Sequence, residues 1–182
     1  MCGRYRIETN HKDMYDLYKI LTDEEEPCFV GDVYPSNLAP IFTANKLLPT
    51  FCKWGLESFD KTKLLINVRA ETVTQKPMFS ENFAQQRCVI PCNGFYEWDS
   101  DKNKYYFTRV DGNLIYLCGF YRERDGASNF AILTKNATPP VSRFHHRIPV
   151  MLDEKQTAQY LRDTEFAQKF MSKENTIELN YN

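Results

Sequence analysis

Short stretches with the residue types of β-strands follow one another closely along the chain, and this spacing constrains the fold more than any other feature. The stretches are rich in β-branched and aromatic residues and are separated by turn residues. Asp111-Gly112 and Asp125-Gly126 are typical of tight β-hairpin turns. Since strands joined by hairpins pair antiparallel, a largely antiparallel sheet is expected. The predicted strands are Arg4–Ile7, Leu48–Trp54, Lys63–Val68, Arg87–Ile90, Gly94–Trp98, Tyr105–Val110, Asn113–Tyr121 and Ser128–Leu133.

Helical patterning is confined to an early segment and a late one. Helices are predicted at His11–Leu21, Asp153–Arg162 and Glu165–Met171. Asn10, Asp153 and Thr164 have side chains that suit the N-cap positions of these helices. Because strands outnumber helices and do not alternate with them, the pattern indicates an α+β fold. We expect the closely spaced strands to curl into a partly barrel-like sheet with a few flanking helices.

The length of the chain fits one domain. Domains usually hold about 100–200 residues, and no repeat or linker divides this chain, so residues 1–182 are expected to form a single domain. The longest apolar stretch, Leu114–Tyr121, is interrupted by Gly119 and is far shorter than the roughly 18 residues of a membrane helix. The chain has 23 basic and 24 acidic residues, so any site for a polyanion must be local.

The first residues and the cysteines indicate a reducing, cytoplasmic location. The chain starts with Met1-Cys2-Gly3-Arg4 and not with an apolar secretory segment. In an extended strand Cys88 and Cys92 would lie about 13 Å apart, which is too far for a disulfide. Buried core positions are therefore predicted for Cys28, Cys52, Cys88, Cys92 and Cys118.

The histidines give no sign of a metal site. His145 and His146 are neighbours in the sequence and would point to opposite sides of an extended segment. We therefore expect no metal ion and no other cofactor.

Cys2 is the first residue with distinctive chemistry. If Met1 is removed, Cys2 carries a free α-amine and a thiol on the same residue, a 1,2-aminothiol. Such a group condenses with an aldehyde, because the amine forms a Schiff base and the thiol then closes a five-membered thiazolidine ring. Alternatively, Cys2 is an ordinary residue of a loose terminus.

Asn67, Arg69 and Glu71 fall on one face of a predicted strand, since side chains alternate along a strand. An amide, a guanidinium and a carboxylate are therefore aligned. They form either a polar site or the solvated side of the strand, with an exposed ion pair between Arg69 and Glu71.

Two later segments carry groups that can move protons. Glu97 lies within the aromatic stretch Gly94–Trp98, where burial would raise its pKa; alternatively, it is an edge-strand glutamate that reaches water. His145 and Arg147 share a face if the residues before Pro149 are extended. The first can carry a proton and the second can bind a phosphate, although an isolated histidine is often only structural.

Taken together, these motifs resemble the SOS response-associated peptidase (SRAP) family of abasic-site DNA–protein crosslinkers. The order and spacing of the motifs carry the resemblance over most of the chain. The matching segments are Met1-Cys2-Gly3-Arg4-Tyr5, Asn37-Leu38-Ala39-Pro40, Trp54-Gly55-Leu56, Asn67-Val68-Arg69-Ala70-Glu71-Thr72, Arg87-Cys88-Val89-Ile90-Pro91, Gly94-Phe95-Tyr96-Glu97-Trp98 and His145-His146-Arg147-Ile148-Pro149.

The resemblance implies a protein that binds single-stranded or junction DNA at a lost base and captures the ring-opened deoxyribose aldehyde on Cys2. It also implies N-terminal self-processing, which here removes Met1 alone. The residues implied as catalytic are Cys2, Asn67, Glu97 and His145, and the implied DNA contacts are Arg4, Arg69 and Arg147. The family usually has Pro and Trp after the tryptophan motif; this chain has Glu57-Ser58-Phe59, and Phe59 is expected to stack on a base.

Each implied residue has a chemical part in the reaction. His145 is expected to help open the closed sugar, Glu97 to move protons to and from the reacting amine, and Asn67 to orient the amine or a sugar oxygen. We expect a monomer without metal or membrane attachment; protein partners are unknown.

Two functions from other classes stay open. The first is a cysteine-dependent peptidase in which Cys2 attacks a peptide and His145 is its base. The second is a noncatalytic single-strand DNA-binding module in which Cys2 is incidental.

Overall fold

Strands make up most of the fold. The computed structural model describes residues 2–23, 30–46, 48–58, 60, 62–124 and 126–182. The strands are β1 Arg4–Ile7, β2 Gly31–Val33, β3 Leu38–Thr43, β4 Thr50–Trp54, β5 Leu56–Glu57, β6 Leu64–Leu65, β7 Asn67–Arg69, β8 Arg87–Cys92, β9 Gly94–Trp98, β10 Lys104–Arg109, β11 Ile115–Arg124, β12 Ala127–Asn136, β13 Arg147–Pro149, β14 Met151–Leu152 and β15 Leu179–Tyr181. The helices are α1 Lys12–Asp23, α2 Pro77–Gln85, α3 Glu154–Arg162 and α4 Thr164–Met171, and short 3-10 helices span Ala70–Thr72 and Val141–Arg143.

A closed barrel forms the centre of the fold. Five strands follow one another around it in the order β12, β4, β3, β8 and β11, and β11 pairs again with β12. The β12–β4 pair is parallel, and the other four pairs are antiparallel. Closure leaves these strands without a free edge. The predicted α+β class with an antiparallel, barrel-like sheet is confirmed.

A second, five-stranded sheet covers one side of the barrel in the order β15, β10, β9, β1 and β2. Its inward-facing aromatic side chains pack against aromatic residues of the barrel. The Tyr5 ring lies 5.1 Å from that of Trp54, which in turn stacks on Phe130. Cys2 belongs to the same buried cluster. The interface between sheet and barrel therefore contains the start of the chain.

The helices α2, α3 and α4 cover another part of the barrel and bury a second apolar cluster. Arg87 joins two of them, because its buried guanidinium group donates to the carbonyls of Phe83 and Ala84 in α2 and of Tyr160 and Leu161 in α3. These carbonyls lie in the last turns of the helices, where a cation is favourable. None of the helices in the described ranges is long and apolar enough to cross a bilayer.

Some predicted elements differ from the observed ones. The predicted strand Lys63–Val68 is broken into β6 and β7. The helix α2 was not predicted, although Pro77 suits its first position and Phe79 and Phe83 lie one turn apart. The Asn10 and Thr164 caps were wrong. His11 Nδ1 accepts the Asp13 N–H at 3.3 Å, and Asp163 accepts the Phe166 N–H at 3.0 Å.

The predicted burial of the cysteines is confirmed wherever the structure describes them. Cys52, Cys88, Cys92 and Cys118 are buried with free thiols. Cys28 lies outside the described residues.

Candidate active site

Cys2 is fully buried just before β1, so its interpretation as an ordinary residue of a loose terminus was wrong. Its Sγ lies 3.7 Å from the carbonyl oxygen of Arg4, to which the thiol donates. Burial raises the pKa of the Cys2 thiol well above its usual value, and the nearby charge of Glu97 raises it further. The thiol is therefore uncharged at neutral pH.

Asn67 is held next to Cys2 by the pairing of β7 with β12. The Asn67 Nδ2 donates to the carbonyl oxygen of Cys2 at 2.7 Å. The Asn67 Oδ1 is buried and accepts no hydrogen bond within the described ranges. Because an unpaired buried acceptor costs free energy, this oxygen is suited to receive an N–H or O–H of a ligand.

Glu97 lies in β9, which is flanked on both sides by β1 and β10. Its interpretation as an edge-strand glutamate in water was therefore wrong: the residue is 1% exposed. Burial raises the pKa of Glu97 to about 7, because the charged carboxylate loses hydration. At neutral pH the side chain is poised to accept or to donate a proton.

His145 lies on a turn that follows the 3-10 helix Val141–Arg143. Its Nδ1 is 3.9 Å from Glu97 Oε2, 2.9 Å from the amide nitrogen of Arg147 and 3.1 Å from the carbonyl oxygen of Arg147. Burial lowers the pKa of the His145 ring, so the neutral ring is favoured at pH 7. In the neutral ring, Nδ1 accepts from the Arg147 amide in one tautomer and donates to the Arg147 carbonyl in the other.

The predicted extended form of the histidine segment was wrong. The His145 N–H donates to the carbonyl of Val141 at 2.9 Å, which turns the backbone. As a result the rings of His145 and His146 stack, with centroids 4.4 Å apart, instead of pointing to opposite sides. Pro149 lies too far along the chain to straighten this turn.

The structure thus brings the four residues implied as catalytic to one place. Asn67 contacts Cys2 directly, Glu97 affects the Cys2 thiol through its charge, and His145 lies beside Glu97. These residues come from the start of the chain, from β7, from β9 and from the turn before β13. Their convergence depends on the packing of the second sheet against the barrel.

Arg4 lies among aromatic rings at the same end of the sheet. Its guanidinium carbon is 4.5 Å from the ring centroid of Tyr34, 5.4 Å from that of Tyr96 and 5.3 Å from that of Trp98. Asp32 forms an ion pair with Arg4 at 3.5 Å. This cation–aromatic cluster combines positive charge with ring faces, a combination suited to unpaired nucleic acid.

The sequence interpretation missed most of this cluster. Alternation along β9 places Tyr96 and Trp98 on the face opposite Glu97, a signal that was available. Tyr34 gave no such signal, because its position depends on the pairing of Tyr5 with Val33 across β1 and β2.

The other predicted DNA contacts differ in their surroundings. Arg69 is exposed at the end of β7. Arg147 is buried, and its guanidinium binds Glu71 instead of facing solvent. The alternative of an exposed Arg69–Glu71 pair was therefore wrong. Phe59 lies outside the described residues.

Within the described residues, no group of three or more His, Cys, Asp or Glu side chains is arranged to hold a metal ion.

A family model described as SOS response associated peptidase (SRAP) matches residues 1–180. The chain belongs to this family. The resemblance deduced from the motifs is confirmed.

Relatives of this SRAP chain carry names that refer to abasic sites. The chain is 26% identical over 193 residues to abasic site processing protein YMR114C of Saccharomyces cerevisiae, covering 84% of this chain and 52% of the yeast protein. It is 29% identical over 184 residues to abasic site processing protein YoqW of Bacillus subtilis, covering 88% of this chain and 80% of that protein. The chain thus spans about half the length of the yeast relative.

Solved structures share the fold of this SRAP chain. A crystal structure of a protein from Bacteroides thetaiotaomicron superimposes with a TM-score of 0.82 at 20% identity, over 99% of this chain and 90% of that one. A protein from Bordetella bronchiseptica gives a TM-score of 0.80 at 19% identity, over 99% of this chain and 98% of that one. At these identities the likeness concerns the fold.

Proposed function

We propose that this SRAP protein processes abasic sites in single-stranded or junction DNA by forming a covalent thiazolidine between Cys2 and the ring-opened deoxyribose. The observation that carries the proposal is the convergence of the buried Cys2 with Asn67 and Glu97. The names of the relatives support the choice of abasic DNA as the substrate. The crosslink would shield the lesion, and residues 1–182 would act as a single domain and a monomer.

Removal of Met1 would expose the α-amine of Cys2 and start the reaction. His145, with its neutral ring beside Glu97, would move a proton that opens the closed sugar to its aldehyde. Glu97 would take a proton from the Cys2 ammonium, since its pKa of about 7 is close to that of an α-amino group, about 7.7–8.0. The amine then attacks the aldehyde carbon C1′ and forms a carbinolamine.

Ring closure would follow on the same carbon. Glu97 returns its proton to the carbinolamine hydroxyl, which leaves as water, and an iminium ion forms. The uncharged Cys2 thiol adds its sulfur to C1′ and loses its proton, which gives the thiazolidine. The reaction joins one aldehyde to one aminothiol with loss of one water, so it needs no oxidant or reductant. The buried Asn67 Oδ1 would accept a hydrogen bond from the amine.

DNA binding would use the surface around Arg4. Arg4 and Arg69 would bind flanking phosphates, and exposed rings of the cation–aromatic cluster would stack on unpaired bases. Phe59 is kept as a predicted stacking residue, and Arg147 as a predicted phosphate contact. A site of this kind would act on DNA inside the cell.

The two alternative functions fit the site less well. A cysteine peptidase needs a thiolate nucleophile, whereas burial keeps the Cys2 thiol protonated. A noncatalytic DNA-binding module would not require a buried carboxylate with a raised pKa beside Cys2.

A gel experiment tests the proposal. Purified protein is incubated with an oligonucleotide that contains one uracil and has been treated with uracil glycosylase, and the products are separated under denaturing conditions. We expect a covalent adduct with this oligonucleotide and none with the untreated one. Absence of an adduct with the abasic strand would refute the proposal.

The rate of crosslinking is expected to rise with pH. The attacking amine must lose its proton, with a pKa of about 7.7–8.0, and Glu97, with a pKa of about 7, must be ionised to accept it. Single-turnover rates measured between pH 5 and 9 should therefore increase up to about pH 8. A rate that is constant over this range would contradict attack by the amine.

Binding to intact single-stranded DNA is expected to weaken as salt increases. The logarithm of the association constant should fall with the logarithm of salt concentration by about 0.7 for each phosphate neutralised. Arg69→Gln should reduce this slope by about 0.7, whereas Lys155→Gln, an exposed position on α3, should leave it unchanged. Equal salt dependence of binding for the Arg69 variant and the parent would show that Arg69 neutralises no phosphate of the DNA.

A further inference from the structure

Glu71 and Arg147 form an ion pair that the proposed reaction does not use. Arg147 Nη1 donates to Glu71 Oε1 at 2.7 Å, and Nη2 donates to Oε2 at 2.8 Å. Nη1 also donates to Asn136 Oδ1 at 2.7 Å, and Nη2 to the carbonyl of Thr134. The Arg147 side chain is 6% exposed and that of Glu71 is 40% exposed. Glu71 therefore holds the guanidinium from the side nearest to solvent.

The main chain of Arg147, in turn, contacts His145. His145 Nδ1 lies 2.9 Å from the amide nitrogen of Arg147 and 3.1 Å from its carbonyl oxygen, and the same Nδ1 lies 3.9 Å from Glu97 Oε2. These contacts with the Arg147 main chain set the direction of the imidazole ring, and their relative lengths set the balance between its two tautomers. A small shift of the Arg147 backbone would therefore change the orientation and the tautomer of His145.

The position of Arg147 is fixed at both ends. Its backbone pairs with Asn136 across β12 and β13, and its guanidinium is anchored by Glu71. Glu71 belongs to the 3-10 helix that directly follows β7, the strand that carries Asn67. The segment from Asn67 to Glu71 thus contacts Cys2 through the Asn67 side chain. Through Glu71 it also binds Arg147, whose main chain contacts His145.

We propose that Glu71 is a positioning residue for His145, because it binds the Arg147 guanidinium and so keeps the main chain of Arg147 against His145 Nδ1. In this proposal Glu71 acts through Arg147 and is not a catalytic residue. Its effect on crosslinking rests on the proposed function, whereas its effect on the His145 ring does not. Without DNA, the Glu71 carboxylate binds the Arg147 guanidinium, which was predicted to bind a phosphate.

Nitrogen NMR of the histidine rings tests the structural part without DNA. In ¹⁵N-labelled protein we expect the ring nitrogens of His145 to report one ratio of the two tautomers in the parent and a changed ratio in Glu71→Gln. Glu71→Asp keeps the charge and should resemble the parent. Glu165→Gln is the matched control, because Glu165 forms an exposed pair with Lys169 far from His145 in sequence. Arg147→Lys, which loses the bidentate contact with Glu71, provides an independent variant and should also change the tautomer ratio.

Crosslinking kinetics test the consequence for the reaction. At saturating abasic oligonucleotide we expect Glu71→Gln to lower the single-turnover rate at least about tenfold, since small misplacements of catalytic groups are costly. Its affinity for an intact oligonucleotide should change less than about twofold. Glu71→Asp and Glu165→Gln should react like the parent.

An unchanged His145 tautomer in both Glu71→Gln and Arg147→Lys would overturn the inference, as would an unchanged crosslinking rate in folded Glu71→Gln. Weaker binding of intact DNA by Glu71→Gln with an unchanged tautomer would also overturn it. If the parent protein forms no crosslink at all, the proposed function fails, while the NMR comparison still decides the role of Glu71.

Discussion

Cys2→Ala is expected to abolish the stable crosslink to abasic DNA. After removal of Met1 this variant still has an α-amine, so it can form a Schiff base, but it has no thiol to close the ring. A Schiff base hydrolyses, whereas the thiazolidine persists. Denaturing gels of reactions without a reductant should therefore show the adduct for the parent and none for the variant.

Borohydride gives the control for this prediction. It reduces a Schiff base to a stable amine, so the Cys2→Ala variant should yield a trapped adduct when borohydride is present. That result would show that the variant is folded and binds the lesion. Equal yields of adduct from the parent and the variant without borohydride would remove the Cys2 thiol from the mechanism.

Glu97→Gln is expected to slow crosslinking by about 10²- to 10⁴-fold, the usual contribution of a general acid–base. A buried amide has the shape of the carboxyl group but cannot take a proton from the Cys2 ammonium. The pH–rate profile should also lose the step near pH 7 that Glu97 contributes in the parent. Glu165→Gln, an exposed glutamate, is the control and should keep the parent rate.

The same substitution should alter stability in a pH-dependent way. The pKa of Glu97 is raised in the folded protein to about 7, so its contribution to stability is present below the unfolded pKa and is lost as pH rises through about 7. The loss amounts to at most about 3 kcal/mol. Chemical denaturation at pH 8 should therefore find Glu97→Gln no less stable than the parent. A much less stable variant would contradict the burial of a costly charge at this position.

Much of the fold followed from local patterns in the sequence. Alternation predicted most of the barrel strands, and the antiparallel pairing of β11 with β12 agrees with the hairpin expected at Asp125-Gly126. The hairpin expected at Asp111-Gly112 was wrong, because β10 and β11 belong to different sheets. The burial of Cys88 and Cys118 likewise followed from residue type. In the candidate site, the residues implied by the resemblance lie together in the structure.

What the sequence missed depends on contacts that the periodicity of a strand or helix does not indicate. The partner of Glu71 is Arg147, 76 residues further along the chain, whereas strand alternation had suggested Arg69. The turn that stacks His145 on His146 is stabilised by a hydrogen bond to Val141, which no periodicity indicates. Tyr34 reaches Arg4 through the pairing of β1 and β2. The Glu71–Arg147 pair forms beside the barrel, where β7 and β13 both pair with β12, and the Tyr34–Arg4 contact forms within the second sheet.

Mass spectrometry of the purified crosslink tests the central claim most directly. After digestion with nuclease and protease, we expect an N-terminal peptide that begins at Cys2 and carries one deoxyribose remnant, with the mass of the two parts less one water. An adduct on a lysine, or a crosslinked peptide that still begins with Met1, would contradict the account.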